Sequence, residues 1–316
     1  MNEITIPKLH ILRIILLGPT AAGKTELSLQ LAEELNTSII SADSRQCYKH
    51  INIGTATPSK EEQERVKHYN ISLLDLEEED SAMDFQKRAA EWEKGILKKS
   101  DHVIYAGGST LHLQSLIQPF NEMPESDEEN IKQLESRIDK EGIESLYGML
   151  SEIDPDYVEK MDGMNTQRII RALDVWMQTG KPFSSFHNQQ EIKPDENTIV
   201  FGLKWPREKL YDRINQRVDH MIEAGLVEEV RSILEAGHSK DLKSLNTVGY
   251  KEIINYLDGE WSLEKAVEKI KISTRRYAKR QITWFKRWEF INWLEPDELS
   301  VEEMKSAIVN TLSSRT

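Results

Sequence analysis

The chain has 316 residues, 38% of them hydrophobic, and carries 41 Lys and Arg against 54 Asp and Glu, a formal net charge of −13. That length supports a sizeable core, as one large domain with an insertion or as two domains. No apolar run approaches the ~20 residues that cross a bilayer, no basic-then-apolar leader opens the chain, and the single cysteine, Cys47, excludes an internal disulfide framework or cysteine-based zinc cluster; a cytoplasmic protein with no membrane partner is expected, with Cys47 as a small packed residue.

In chain order, residues 11–17 form an apolar run broken only by Arg13 and read as a buried strand. The run feeds Gly18-Pro19-Thr20-Ala21-Ala22-Gly23-Lys24-Thr25, which satisfies the phosphate-loop pattern G-x-x-x-x-G-K-[ST] at every fixed position, and a helix over 26–35 follows. Strand, loop and helix in that order make the match specific. Glycines let backbone N–H groups wrap around phosphate oxygens, and the helix N-terminus adds partial positive charge. Lys24 supplies a full charge and Thr25 a hydroxyl for Mg²⁺, so a di- or triphosphate is expected here.

A second strand over 38–42 ends at Asp43, and Asp43-Ser44-Arg45-Gln46 turns polar. Ligands of open α/β sheets bind beyond the carboxyl ends of strands, which points Asp43 at the same crevice as the phosphate loop. A turn or helix cap is an equally natural use for an aspartate at a strand end. Residues 70–76 read as another strand, and a helix capped at Ser81 or Asp84 runs to about residue 98. A buried strand over 102–106 then meets Gly107-Gly108-Ser109-Thr110, where paired glycines permit close backbone approach to a ligand and leave the Ser109 hydroxyl in the crevice. Strands alternating with helices imply a parallel α/β sheet flanked by helices, of the phosphate-loop NTPase type.

From about residue 121 acids dominate and helical periodicity takes over until a strand-like run returns at 197–205. The expected organisation is a core of 1–120 and 196–316 with an all-helical insertion at 121–195. Within the insertion, Arg168 and Arg171 lie one helical turn apart and share a face. Beyond it, Leu210, Ile214, Val218 and Ile222 repeat every four residues as a buried stripe, with Arg213 and Arg217 on another face. Residues 265–287 hold nine basic side chains against one acid, Glu268. This local patch allows RNA binding by an acidic protein, because screening confines distant repulsion to about 8–10 Å. Trp284, Phe285 and Trp288 at helical spacing suit core packing better than base stacking.

Taken together, these residues resemble the tRNA dimethylallyltransferases, also called tRNA isopentenyltransferases. The resemblance covers nearly the whole chain and rests on the phosphate loop, Ser-Ala-Asp-Ser-Arg-Gln from Ser41, Ile-Gly-Thr-Ala-Thr-Pro from Ile53, Ser-Ala-Met-Asp-Phe from Ser81, Gly107-Gly108-Ser109, Gln167-Arg168, Val248-Gly249-Tyr250 and Lys-Arg-Gln-Ile-Thr-Trp-Phe from Lys279. It implies transfer of a dimethylallyl group from dimethylallyl diphosphate to N6 of the adenosine 3′ of the anticodon, position 37. It further implies that the loop, Lys24, Arg217 and Mg²⁺ at Thr25 hold the diphosphate, that Asp43 is the general base, and that Ser109 donates to the bridging oxygen. The same resemblance assigns the flipped base to Asp43, Ser44, Arg45 and Gln46, and the anticodon stem-loop to Gln167, Arg168, Arg171, Lys279 and Arg280, in a protein expected to be a monomer. Ser109, Thr110 and His112 depart from the family's Gly-Gly-Thr-Gly-Leu-Tyr; His112 suits packing or solvent better than acid–base work. A phosphate-loop small-molecule kinase and a non-catalytic RNA-binding module remain open alternatives on the residues alone.

Overall fold

The structure, a computed structural model, describes residues 13–187 and 191–314. In chain order it runs β1 (Arg13–Leu17), α1 (Lys24–Glu34), β2 (Ile39–Ala42), α2 (Lys60–Arg65), β3 (His68–Tyr69), α3 (Ala82–Ile96), β4 (Val103–Gly107) and α4 (Thr110–Ile117). A helical stretch follows, α5 (Glu128–Glu141), α6 (Ile143–Ile153), α7 (Pro155–Glu159) and α8 (Thr166–Thr179). The chain then continues as β5 (Thr198–Leu203), α9 (Arg207–Glu223), α10 (Leu226–Glu235), α11 (Tyr250–Leu257), α12 (Leu263–Phe285), β6 (Asn292–Leu294) and α13 (Val301–Ser313). The first two residues of the strand expected over 11–17, and residues 188–190 of the insertion expected over 121–195, lie outside the described residues.

The six strands form one parallel sheet in the order β3-β2-β4-β1-β5-β6. Side chains of a strand alternate between faces, and β1 shows the consequence. Ile14 and Leu16 pack with Leu27 and Leu31 of α1 and Met304 and Ile308 of α13. Ile15 and Leu17 pack on the other side with Phe85 of α3, Leu113 of α4, and Phe285 and Trp288. Helices on both faces bury β2 and β5 completely and β1 and β4 almost so, which is why these four read as apolar runs, whereas β3 is half-buried and β6 exposes Asn292 and Trp293. Phe285 and Trp288 are therefore core, as their spacing suggests, whereas Trp284 is half-buried with the Arg287 guanidinium 5.3 Å from its ring centre.

Several elements differ from the sequence expectations, among them α2 and β3, which the sequence reading did not name. Residues 70–76 are not a strand: Asn70 and Ser72 adopt φ of 62° and 45°, which breaks an extended run, and the segment keeps only a bridge between Tyr48 and Leu74. The Asn70 side chain instead donates to the Ser41 carbonyl at 2.9 Å. The sheet also gains β6 and the covering helix α13, beyond the last element expected from the sequence. Their signal was present, since Ser300 and Glu303 form a capping box and Met304, Ile308 and Leu312 repeat every four residues.

The described residues divide into two compact units, one being Pro119–Glu191 and the other the chain on either side of it. The helical unit has its own core of Leu134, Leu146, Leu150, Ile169 and Leu173, each such side chain adding roughly 1.5–3 kcal/mol on burial. In the other unit a further core joins α9 to α12 with the loop after β2, and Cys47 is completely buried there.

Candidate active site

The strand register assembles the site. Leu17 and Ala42 both pair with Gly107, so β1, β2 and β4 end on one row and Gly18, Asp43 and Gly108 emerge side by side. Asp43 and Gly108 border a cavity of about 700 Å³ whose walls also include Thr20 to Thr25, Ser44 to Gln46, Gly107, Arg213, Arg217, Thr274, Tyr277 and Arg280. Asp43 is the one carboxylate among the described residues on this wall, facing five Lys and Arg side chains, Lys24, Arg45, Arg213, Arg217 and Arg280. Such a cavity selects a polyanion and keeps one base.

The phosphate loop is shaped by contacts from distant parts of the chain. Ala21 and Gly23 take positive φ of 63° and 94°, and α1 begins at Lys24. Arg213 Nε donates to the Ala21 carbonyl at 2.9 Å, Trp205 Nε1 to the Ala22 carbonyl at 2.9 Å, and the Arg213 guanidinium lies 4.4 Å from the Trp205 ring centre. The Thr20 amide is taken by Gln281 Oε1 at 3.0 Å and the Ala22 amide by the Pro19 carbonyl at 3.3 Å. The expectation that all loop amides point at a ligand is therefore corrected: the Thr20 and Ala22 amides are taken, and the first-turn amides of α1, which have no helical partner, are the ones left for an anion. Gly18 and Pro19 contribute through their carbonyls, which accept from Lys24 Nζ at 2.9 and 2.8 Å, and do not themselves line the cavity.

Burial, reinforced by the neighbouring Arg217 and opposed by Asp43, brings the Lys24 ammonium down from 10.5 to about 8. Arg217 is also lowered by burial and raised by Asp43; as a guanidinium it stays charged. Burial, then Asp43, pushes the Tyr277 phenol up, so it lines the cavity as a neutral group. Asp43 Oδ1 accepts the Arg45 amide at 2.8 Å and the Gln46 amide at 3.3 Å. The turn-capping use of Asp43 is thus real, and Oδ2, which takes no hydrogen bond among the described residues, leaves the carboxylate able to accept a proton as well.

Gln46 ties this turn to the loop after it: Oε1 accepts from the Ser41 hydroxyl at 2.8 Å, and Nε2 donates to the Thr55 and Ala56 carbonyls at 3.2 and 3.0 Å. Arg217 Nη2 reaches the same Thr55 carbonyl at 3.5 Å. Ser44 and Arg45 border the cavity, and Arg45 Nη1 donates to the Lys243 carbonyl at 3.3 Å.

The paired glycines border the cavity and are also required by the protein's own packing. A Cβ on Gly107 would stand 2.1 Å from the Ala42 carbonyl oxygen, and one on Gly108 would stand 2.4 Å from Gln281 Nε2. The close approach is of protein to protein. Ser109, the residue before α4, is half-buried and is not part of the cavity wall, although its amide bonds the Ala42 carbonyl at 3.1 Å. His112 packs, as expected: it is 3% exposed, its ring stacks on Phe85 with centres 4.2 Å apart, and burial lowers it to about 3.

Mg²⁺ suits the residues present. Among the described residues no group of three or more His, Cys, Asp or Glu could hold a metal by itself. Thr25 is exposed on the cavity wall and Asp43 shares that wall. A site this sparse fits an ion that keeps several waters and takes its other ligands from substrate phosphates, as Mg²⁺ commonly does.

The residues expected to meet RNA fall into two sets. Gln167 and Arg168 are exposed on the first turn of α8, capped by Asn165. Arg171 departs from that picture. Its guanidinium pairs with the fully buried Asp174 at 2.7 Å and donates to the Pro124 carbonyl, so it braces the helical unit. In α12, Lys271 pairs with Asp219 at 2.6 Å and Arg275 donates to Asn215 at 2.6 Å, which removes both from the free patch. Lys279, Arg280, Lys286 and Arg287 stay exposed, and Arg280 reaches the cavity.

Sequence reasoning singled out neither Trp205 nor Gln281. Gln281 did carry a signal: it is 3% exposed, between buried Ala278 and Phe285 at helical spacing, so a polar side chain occupies a core position.

Comparison with known proteins gives one consistent answer. The family model described as IPP transferase matches residues 46–288. tRNA dimethylallyltransferase 1 of Bacteroides thetaiotaomicron is 44% identical over 285 residues, covering 90% of this chain and 92% of the relative. The crystal structure of a tRNA delta(2)-isopentenylpyrophosphate transferase from Staphylococcus epidermidis superposes with a TM-score of 0.71 at 36% identity, covering 96% of this chain and 99% of that one. A eukaryotic dimethylallyltransferase acting on tRNA gives a TM-score of 0.82 at 26% identity, covering 96% and 80%. These matches set aside the kinase and the non-catalytic RNA-binding module: the chain belongs to the IPP transferase family, the tRNA dimethylallyltransferases.

Proposed function

We propose that the cavity binds dimethylallyl diphosphate with its diphosphate at the start of α1, and transfers the prenyl group to N6 of the adenosine 3′ of the anticodon, position 37, in a tRNA. The observation that carries this reading is Asp43, the one carboxylate among the described residues on a cavity wall otherwise rich in cations. In the reaction the allylic carbon–oxygen bond breaks and its electron pair leaves with pyrophosphate, while a bond forms between that carbon and N6. The exocyclic amine is a poor nucleophile, so its proton must leave, and Asp43 is the group that takes it. Lys24, Arg217 and the α1 N-terminus stabilise charge that grows on the leaving group. Mg²⁺ at Thr25 would supply further neutralisation of the diphosphate.

The target base leaves the anticodon-loop stack to enter the cavity, where Ser44, Arg45 and Gln46 border it and Tyr277 offers a neutral aromatic face. Lys279 and Arg280 of α12, with Gln167 and Arg168 of the helical unit, serve as contacts to the anticodon stem-loop.

The test is incubation with radiolabelled dimethylallyl diphosphate, Mg²⁺ and an unmodified tRNA transcript whose anticodon is followed by adenosines. Label on the tRNA with release of pyrophosphate is expected. No label, together with ATP hydrolysis or phosphate transfer, would overturn the reading.

A further inference from the structure

Gln281 occupies an unusual place for a polar side chain. It is 3% exposed, it comes from α12, and its amide spans two elements that end on the cavity. Oε1 accepts the Thr20 amide of the phosphate loop at 3.0 Å, and Nε2 donates to the Gly108 carbonyl at 2.7 Å. Both arms are satisfied, and an amide so buried is costly to leave unpaired. The fit is tight as well, since a Cβ on Gly108 would stand 2.4 Å from Nε2. One turn earlier on the same helix, Tyr277 lines the cavity, and Arg280 beside Gln281 faces it too.

We propose that Gln281 is a positioning residue for the transfer reaction: it holds the phosphate loop in register with the turn after β4 and joins that assembly to the basic helix. Gln281 borders the cavity, yet both arms of its amide are committed to backbone partners. By taking the Thr20 amide it fixes which loop amides remain for the anion, and by holding the Gly108 carbonyl it sets the height of the glycine turn against the loop. Apolar contacts cannot do this, because a methylene has no direction, whereas an amide with one donor and one acceptor arm specifies both partners. The inference rests on the transferase reading for the identity of the bound diphosphate. Its test does not, because the probe is inorganic pyrophosphate.

Gln281→Met keeps length and volume while removing both hydrogen bonds. Calorimetric titration of the variant with pyrophosphate and Mg²⁺ is expected to show affinity reduced about tenfold, with tRNA affinity changed by no more than about twofold. The KM for the prenyl donor rises and kcat falls in parallel assays with tRNA. A second arm uses Gly108→Ala. That substitution alone is expected to weaken pyrophosphate binding through its collision with Gln281, and to weaken it less when Gln281 is also Ala. Unchanged pyrophosphate affinity in Gln281→Met, or strictly additive losses in the double variant, would overturn the proposal. Loss of cooperative melting in Gln281→Met would overturn it too, by making the residue a determinant of the fold rather than of the loop. If pyrophosphate binding responds as expected while no tRNA is ever prenylated, the transferase reading fails and the role of Gln281 stands.

Discussion

The Tyr250 hydroxyl donates to Glu229 Oε1 at 2.5 Å and accepts the Gly54 amide at 3.1 Å. Glu229 also accepts the amides of Asn52, Ile53 and Gly54 at distances of 2.9 to 3.4 Å, so one carboxylate from α10 pins the loop that supplies Gly54, Thr55 and Ala56 to the cavity wall. Gly54 is required there because a Cβ would stand 2.4 Å from the Tyr250 ring. Removing the charge with Glu229→Gln is expected to cost about 1.5–3 kcal/mol in urea unfolding, and Tyr250→Phe about 1 kcal/mol. Both variants are expected to raise the KM for the prenyl donor, because the Thr55 carbonyl is a partner of Arg217.

Asp43 has two roles that one pair of substitutions separates. Asn keeps an acceptor for the Arg45 and Gln46 amides but cannot take a proton, whereas Ala loses both functions. Asp43→Asn is expected to suppress transfer about 10²-fold or more at an unchanged melting temperature. Asp43→Ala is expected to lose the same activity and melt lower. Single-turnover transfer to labelled tRNA makes the measurement, and normal turnover in Asp43→Asn would reduce the residue to a cap.

Lys24 gives the free protein a pH signature. An ammonium brought down to about 8 is charged below that pH and loses its charge as pH rises through it. Pyrophosphate affinity is therefore expected to fall between about pH 7.5 and 9, and binding at pH 8 to take up a proton that calorimetry in buffers of different ionisation enthalpy can count. Lys24→Met should abolish both effects. The linkage to stability has the opposite sense: the unfolded amine, at 10.5, binds more protons than the native one above about pH 8, so this group's penalty is relieved as pH rises from 8 toward 10.5.

His112 supplies an acid liability. Burial, aided by Arg88 and Arg45, lowers it from 6.5 to about 3, so the native ring is neutral while the unfolded ring is protonated below 6.5. The unfolded state then binds more protons, and stability falls as pH drops from about 6.5 toward 3. His112→Phe is expected to keep the stacking on Phe85 and flatten this part of the stability profile, measured by urea unfolding at pH 7 and pH 4.5. An unchanged slope would assign the acid sensitivity to other groups.

Neutralising Lys279, Arg280 and Arg287, which are exposed on and just after α12, is expected to weaken tRNA binding and to reduce the slope of log affinity against log salt by about 0.7–0.9 for each RNA phosphate that is no longer neutralised. Arg171→Met is expected to behave differently, lowering the stability of the helical unit by about 1.5–3 kcal/mol, because the buried Asp174 loses its charged partner and keeps only the neutral donors of Asp127, Asn130 and Gln178. A filter-binding salt titration beside thermal melting distinguishes the two effects.

Much of this molecule is local chemistry. The order of strand, phosphate loop and helix, the alternation that demands a parallel sheet, and the change to helical texture after residue 120 follow from periodicity, glycine and polarity along the chain, because these act between near neighbours. The loop over 70–76 escaped that reading, since two residues at positive φ break a strand that composition favours. The capping box at Ser300 was legible and was passed over. What only the tertiary structure decided is how the site is held. Gln281 reaches Thr20 across 261 positions, Arg213 reaches Ala21 across 192 and Glu229 reaches Asn52 across 177. No local pattern encodes such pairs, because they exist only once α9, α10 and α12 have packed and buried polar groups must find partners in whatever lies opposite.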